Sequence, residues 1–252
     1  LIALMKDQVA KLKEKGILAL AIHSGMQFAE VKKTLDNALY GNYKFLYVSP
    51  ERLQTNFFKE YLPALPINLI AVDEAHCISQ WGYDFRPSYL RIAELRTLLP
   101  QLKVLALTAT ATPEVVEDIQ TQLAFQTKNV FQASFSRSNL AYVVLHEEDK
   151  LNRLLKIAKN ISGTGIVYAR NRRKTKEISD FLNRNAIAAD YYHAGLEAHV
   201  RIEKQNAWMQ DKCRIIVSTN AFGMGIDKPE VRFVVHFELP DSLEAYFQEA
   251  RR

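Results

Sequence analysis

Short apolar segments alternate with amphipathic ones along this chain, and that rhythm restricts its possible folds more than any other feature. The strand-like segments are Ile17–Ile22, Phe45–Val48, Leu69–Val72 and Lys103–Leu107, then Gly165–Tyr168, Ala188–Tyr192, Arg214–Val217 and Phe233–Phe237. Leu1–Lys15, Lys174–Asn185 and His199–Gln210 carry apolar residues at helical spacing. Thr112-Pro113-Glu114 reads as a helix start, with a capping hydroxyl, a proline at the first helical position and an early acid. The alternation predicts an α/β fold of mainly parallel sheets flanked by helices on both faces. The polar stretch Ser134–Asn139 interrupts it and predicts two lobes, residues 1–136 and 137–252. Ligands of such lobes gather at the carboxyl ends of the strands.

Composition narrows the function classes. No apolar run approaches the roughly 20 residues that span a bilayer, so no membrane partner is expected. Cys77 and Cys213 stand far apart with no Cys-x-x-Cys pair, which predicts no zinc in this segment, no disulfide framework and a reducing compartment. The chain opens at Leu1 without a methionine, so an upstream segment is expected and targeting stays open. The net charge is +5. Residues 1–136 hold 14 Lys and Arg against 13 Asp and Glu, and the remainder holds 19 against 15. Arg170, Arg172, Arg173, Lys174 and Lys176 concentrate the second-half excess, either for a polyphosphate partner or as a solvated helix face.

The densest chemistry lies between Leu69 and Pro87. An apolar strand runs into Asp73 and Glu74, which fits an aspartate organising Mg²⁺ through water beside a glutamate activating the attacking water. His76 either relays the state of that site or is a hydrogen-bonded histidine at a helix start. Trp81, Tyr83, Phe85 and Arg86 follow among Gly82 and Pro87, in a segment too broken for regular structure. They fit stacking on unpaired bases, against the alternative of packing on their own core. Leu107–Thr112 places Thr108 and Thr110 at a strand end as a hydroxyl-rich joint. Ser218–Lys228, with Gly223, Gly225 and Asp227, is a post-strand loop able to approach phosphate or ribose. Gln248-Glu249-Ala250-Arg251-Arg252 ends in candidate γ-phosphate fingers, or a basic tail. None of the nine glycines precedes a lysine, so the sequence holds no Gly-x-x-x-x-Gly-Lys-Ser/Thr phosphate loop.

Taken together, Val72–Pro87 (VDEAHCISQWGYDFRP) resembles motif II, a DEAH-type box, joined to the aromatic-rich loop of RecQ-family DNA helicases of superfamily 2. The resemblance covers essentially the whole chain. Leu1–Val9 is similar to motif Ia, Tyr47–Leu53 to motif Ib, Leu107–Ala111 to motif III and Gly165–Arg172 to motif IV. Tyr192–Leu196, Ser218–Pro229 and Tyr246–Ala250 follow in the family's order. It implies two tandem RecA-like lobes, use of ATP and Mg²⁺, 3′→5′ translocation on single-stranded DNA, and unwinding of partly duplex DNA in repair and recombination. It also implies roles: Asp73, Glu74 and His76 in catalysis, and Gln80, Trp81, Phe85, Arg86, Thr108 and Thr110 in coupling to DNA. Arg172, Ser218 and Gly223 would hold the DNA backbone, and Gly225, Asp227, Gln248, Arg251 and Arg252 the nucleotide.

The family's motifs 0 and I lie upstream of motif Ia, and motif VI here lacks its Gly-Arg-x-Gly-Arg ending, with Arg251 and Arg252 directly after Ala250. The expectation is therefore a core fragment without its phosphate loop, itself ATPase-deficient. It is expected to act as a monomer, in the cytoplasm near the nucleoid of a bacterium or in a eukaryotic nucleus. Two other readings stay open: an RNA-directed helicase, which shares the core, and a non-enzymatic nucleic-acid-binding module.

Overall fold

The computed structural model describes residues 2–82, 84–134, 137–223, 226 and 228–251. They form two compact units, Leu1–Val130 and Phe131–Arg252. The sequence-predicted positions Tyr83, Gly225, Asp227 and Arg252 lie outside the described residues.

In the first unit the order is α1 (Ile2–Glu14), β1 (Ala19–Ile22), α2 (Phe28–Tyr40), β2 (Phe45–Val48), α3 (Pro50–Leu53) and α4 (Asn56–Tyr61). Then come β3 (Leu69–Val72), a 3₁₀ turn (Ala75–Ile78), α5 (Pro87–Leu90), α6 (Glu94–Leu98), β4 (Lys103–Ala106) and α7 (Pro113–Gln122). β1 pairs with β2 and β3 with β4, both in parallel, the latter aligning Val72 with Ala106. Helix starts follow the local chemistry: Thr112 Oγ1 accepts from the Val115 amide ahead of Pro113, and Glu30 accepts from the Gln27 amide. One continuous core joins Ile22, Val31, Leu35, Phe58, Leu62, Val72, Ile78, Val115 and Ile119. The expectation of helices on both faces meets an exception here. Along β3–β4, Leu69 and Leu105 alternate outward, and with Leu107 they remain exposed.

The second unit runs α8 (Lys150–Asn160), β5 (Thr164–Tyr168), α9 (Arg172–Arg184), β6 (Ala189–Tyr192), α10 (Ala198–Met209), β7 (Ile215–Ser218), β8 (Val231–His236) and α11 (Leu243–Ala250). Its sheet is wholly parallel, in the order β6-β7-β5-β8. The two-residue alternation of a strand sorts side chains into two cores, one on each side of the sheet. Val167, Ile215, Val217 and Phe233 meet Leu154, Ala158, Ile178 and Leu182 of α8 and α9. Ile166, Tyr168, Ile216 and Tyr192 meet Trp208 of α10 and Phe222. Both faces are covered, which is why β5 and β7 are buried along their whole length.

Candidate functional site

In the first unit the chemistry collects where β3 ends. The ladder with β4 continues one step past both strands, through Leu107 N–H to Val72 O (2.9 Å) and Ala75 N–H to Leu107 O (2.9 Å). Between those bonds the chain turns sharply. Glu74 takes a left-handed conformation (φ 50°, ψ 44°), and its amide donates to Asp73 Oδ1 at 2.9 Å. The Asp73 carboxylate is exposed and Glu74 is half-buried. Such a conformation costs a residue bearing a side chain about 1–2 kcal/mol, and here it turns two adjacent carboxylates out at the end of β3.

The turn then buries His76. Its Nδ1 lies 3.0 Å from Thr108 Oγ1 and 3.4 Å from Glu74 Oε2. Burial lowers the ring's basicity below the ordinary histidine range. His76 thus sits between the Glu74 carboxylate and the joint that follows β4, bonded to the latter. The Thr108 bond is compatible with both sequence alternatives for His76. Thr110 donates its amide to Thr108 Oγ1 at 3.4 Å.

Residues 79–82 and 84–86 fold back on this turn. The Arg86 amide donates to Cys77 O (2.8 Å), the Trp81 amide to Ser79 Oγ (3.2 Å), and the Arg86 guanidinium pairs with Asp84. Gly82 is required, because a Cβ there would meet His76 O at 2.6 Å. Trp81 is 81% exposed and Gln80 is exposed, whereas Phe85 and Arg86 are half-buried. Among its described residues the loop therefore offers an indole and an amide to solvent and pairs the Arg86 cation with Asp84.

Among the described residues, one group of three could hold a metal ion: His76, Cys77 and Asp84. Cys77 Sγ lies 3.8 Å from both His76 Nε2 and Asp84 Oδ2. Burial pushes its thiol up to about 12, and Asp84 is already paired with Arg86, so the group serves as a packed hub.

In the second unit the carboxyl ends of β5, β6 and β7 converge on a concavity of about 510 Å³ lined by Arg170, Asn171, Arg172, Ala194, Thr219 and Asn220. Asn171 caps α9, accepting from the Lys174 amide at 2.7 Å, so Arg172 begins a 13-residue helix beside that helix's free amides. Gly195 lets Arg172 lie across the backbone, since a Cβ there would meet Nη1 at 2.4 Å. Arg170 is held by Glu238, Leu239 O and Asp241. Ser218 is fully buried, with Oγ donating to Thr219 O at 2.7 Å, so it shapes the loop while Thr219 and Asn220 line the cavity. Gly223 supplies a φ of 115°, which glycine adopts without strain.

Three residues that the sequence reading passed over also hold this unit together. Lys228 is buried, and its ammonium donates to Trp208 O (2.8 Å), Met209 O (3.1 Å) and Asp211 Oδ1 (2.7 Å), closing the carboxyl end of α10. His236 Nε2 lies 2.9 Å from Glu249 Oε2 on α11, the helix that also carries Gln248 and leads into Arg251. A histidine at the end of an apolar strand and an acid inside a short helix were the available sequence signals. Arg251 O accepts from Arg137 Nη1 at 3.4 Å.

Comparison with known proteins bears on both units. The family described as "DEAD/DEAH box helicase" matches residues 1–119, and "Helicase conserved C-terminal domain" matches residues 148–252. ATP-dependent DNA helicase RecQ of Bacillus subtilis is 45% identical over all of this chain and 43% of its own length. The RecQ of Pasteurella multocida is 41% identical over all of the chain and 40% of itself. The probable helicase RecS of Bacillus subtilis is 42% identical over all of the chain and 51% of itself. The chain thus spans two-fifths to one-half of these relatives. Among solved structures, Saccharomyces cerevisiae Dbp5 bound to RNA and ADP BeF3 superposes with a TM-score of 0.70 at 15% identity, over 98% of this chain and 64% of its own. Mycobacterium smegmatis Lhr bound to ssDNA and AMP-PNP gives 0.69 at 18%, over 97% of this chain and 34% of its own. These two show the fold: tandem RecA-like helicase domains. No helix among the described residues is long and apolar enough to cross a membrane.

Proposed function

The chain belongs to the RecQ family of helicases, and from that premise we propose that the protein carrying it couples ATP hydrolysis to 3′→5′ movement along single-stranded DNA and to unwinding of partly duplex DNA. The observation that carries this reading is the cluster at the end of β3, where His76 Nδ1 bonds Thr108 with the Glu74 carboxylate 3.4 Å from the same nitrogen, and the same turn continues into the loop bearing Trp81. This proximity gives a change at the carboxylates a short route to the loop.

Mg²⁺ fits the residues present. Asp73 is an exposed carboxylate with oxygen donors only, suited to a hard cation held through water. The nucleotide, when bound with its metal, supplies the phosphoryl bond that is broken. Glu74 orients the attacking water and takes its proton. His76, whose burial favours the neutral ring, bonds Thr108 beside that carboxylate. Gly225, Asp227, Gln248, Arg251 and Arg252 are assigned to the nucleotide. Arg172 at the start of α9, with Thr219 and Asn220 on a loop shaped by Ser218 and Gly223, is assigned to the DNA phosphates, which a helix amino terminus and a bidentate cation recognise without reading sequence. Gln80, Trp81, Phe85 and Arg86, with Thr108 and Thr110, are assigned to coupling, and residues 1–136 and 137–252 are the proposed working lobes. The protein is proposed to act in DNA repair and recombination as a monomer, with no zinc in this segment.

The test is ATP hydrolysis by the protein at the full length of its relatives, with single-stranded DNA, with RNA, and alone. Stimulation by DNA is expected. Equal stimulation by RNA selects the RNA-directed reading, and no hydrolysis at all selects a binding module. Replacing Glu74 by Gln should lower turnover by about 10²–10⁴-fold while DNA binding persists. Retained turnover refutes the role of Glu74.

A further inference from the structure

Helix α11 carries Gln248 and leads into Arg251, yet its apolar footing is small. Leu243 and Phe247 are exposed, and of its eight residues only Glu249 and Ala250 are buried. A helix this short is not held by its own propensity. Its firmest anchor is polar. His236, the last residue of β8, meets Glu249 through Nε2 and Oε2 at 2.9 Å, with both side chains only 10% exposed. The imidazole stacks on Tyr168 (5.4 Å, 19° between planes) and packs against Tyr246 of α11 itself (5.0 Å). Tyr168 in turn donates its hydroxyl to Phe222 O at 3.0 Å, in the loop after β7. One histidine thus joins the helix of Gln248 to the loop of Thr219 and Asn220.

An apolar contact in this place would let a two-turn helix roll about its axis. A buried hydrogen bond to a carboxylate is directional and fixes that rotation. We propose that His236 is a positioning residue: its bond to Glu249 sets the rotation of α11 and so the presentation of Gln248 and Arg251, while its stack on Tyr168 registers that helix against the loop after β7. The catalytic consequence rests on the nucleotide role proposed above for Gln248 and Arg251; the mechanical claim does not.

Two measurements separate these claims. Amide hydrogen exchange on the 252-residue chain tests the mechanical one. His236→Leu should speed exchange of the Tyr246–Ala250 amides by about tenfold or more and leave α9 unchanged. His236→Gln, whose Nε2–H reaches the same carboxylate, should exchange like wild type. Unchanged exchange in His236→Leu, or equal acceleration in both variants, overturns the proposal whatever the wild-type activity.

Kinetics at the full length of the relatives test the consequence. His236→Leu should lower kcat for DNA-stimulated ATP hydrolysis by about ten- to a hundredfold with KM for ATP moving less than about threefold, because a misoriented cation is missed mainly in the transition state. His236→Gln should restore most of kcat. His236→Leu/Glu249→Leu should be no worse than either single variant. Losses that multiply in the double variant, or a loss confined to KM, overturn the positioning role. A wild-type enzyme with no DNA-stimulated turnover, alongside the expected exchange pattern, leaves His236 as the anchor of α11 and removes the helicase reading.

Discussion

His76 contributes to stability in a way that pH reveals. Burial holds its folded-state pKa below the ordinary 6.5, so the folded chain favours the neutral ring. Between those two values the unfolded chain binds the proton first. The stability tied to His76 is therefore complete above pH 6.5 and is lost as pH falls through the folded-state value. Urea unfolding of wild type and His76→Gln from pH 7.5 to 5 should show the difference in free energy between them shrinking towards acid. A difference independent of pH refutes the neutral buried ring. The sequence announced Asp73, Glu74, His76 and Thr108 one by one, because each stands at the end of an apolar run. The bond between His76 and Thr108 was not legible, since it spans 32 residues and depends on the β3–β4 register that puts Val72 opposite Ala106. The burial of Ser218 was hidden for a related reason: a strand's last residue looks exposed until its neighbours are known.

Elements are held by a few polar closures as much as by apolar faces. Lys228 takes the last carbonyls of α10 and neutralises the end where the helix dipole is negative. Lys228→Met should cost about 1–3 kcal/mol in urea unfolding, because Trp208 O and Met209 O lose a buried donor. Asp211→Asn should cost less than about 1 kcal/mol, since that carboxylate is 70% exposed. Equal effects would mean that the ion pair, and not the helix end, is what Lys228 serves. Strand positions were readable because β5 and β7 are uninterrupted apolar runs, and their ends shifted by a residue only where the ladder gained or lost a partner. Helix α8 carries Leu151, Leu154, Leu155 and Ala158 on one stripe, a pattern masked by the irregular segment before it. Helix α11 is too short to show a period, and its anchor lies on another element.

At the scale of the molecule, each unit has its own buried core, which predicts unfolding in more than one step. Leu35→Ala and Ile178→Ala, both fully buried, should each cost about 2–5 kcal/mol, and each should move only one of two calorimetric transitions. A single transition moved by both refutes independent cores. The parallel pairing of the second unit has a consequence in time. The central strand β5 leaves the ribosome about fifty residues before β7 and more than that before β8, its two neighbours in the sheet. At about 5–20 residues per second, Ile166 and Val167 therefore wait seconds for partners, and folding of this sheet cannot begin in earnest until β8 is made. A nascent chain released before Val231 keeps one edge of β5 bare, which is the geometry that recruits another chain, so products ending before β8 should be less soluble than chains that include it.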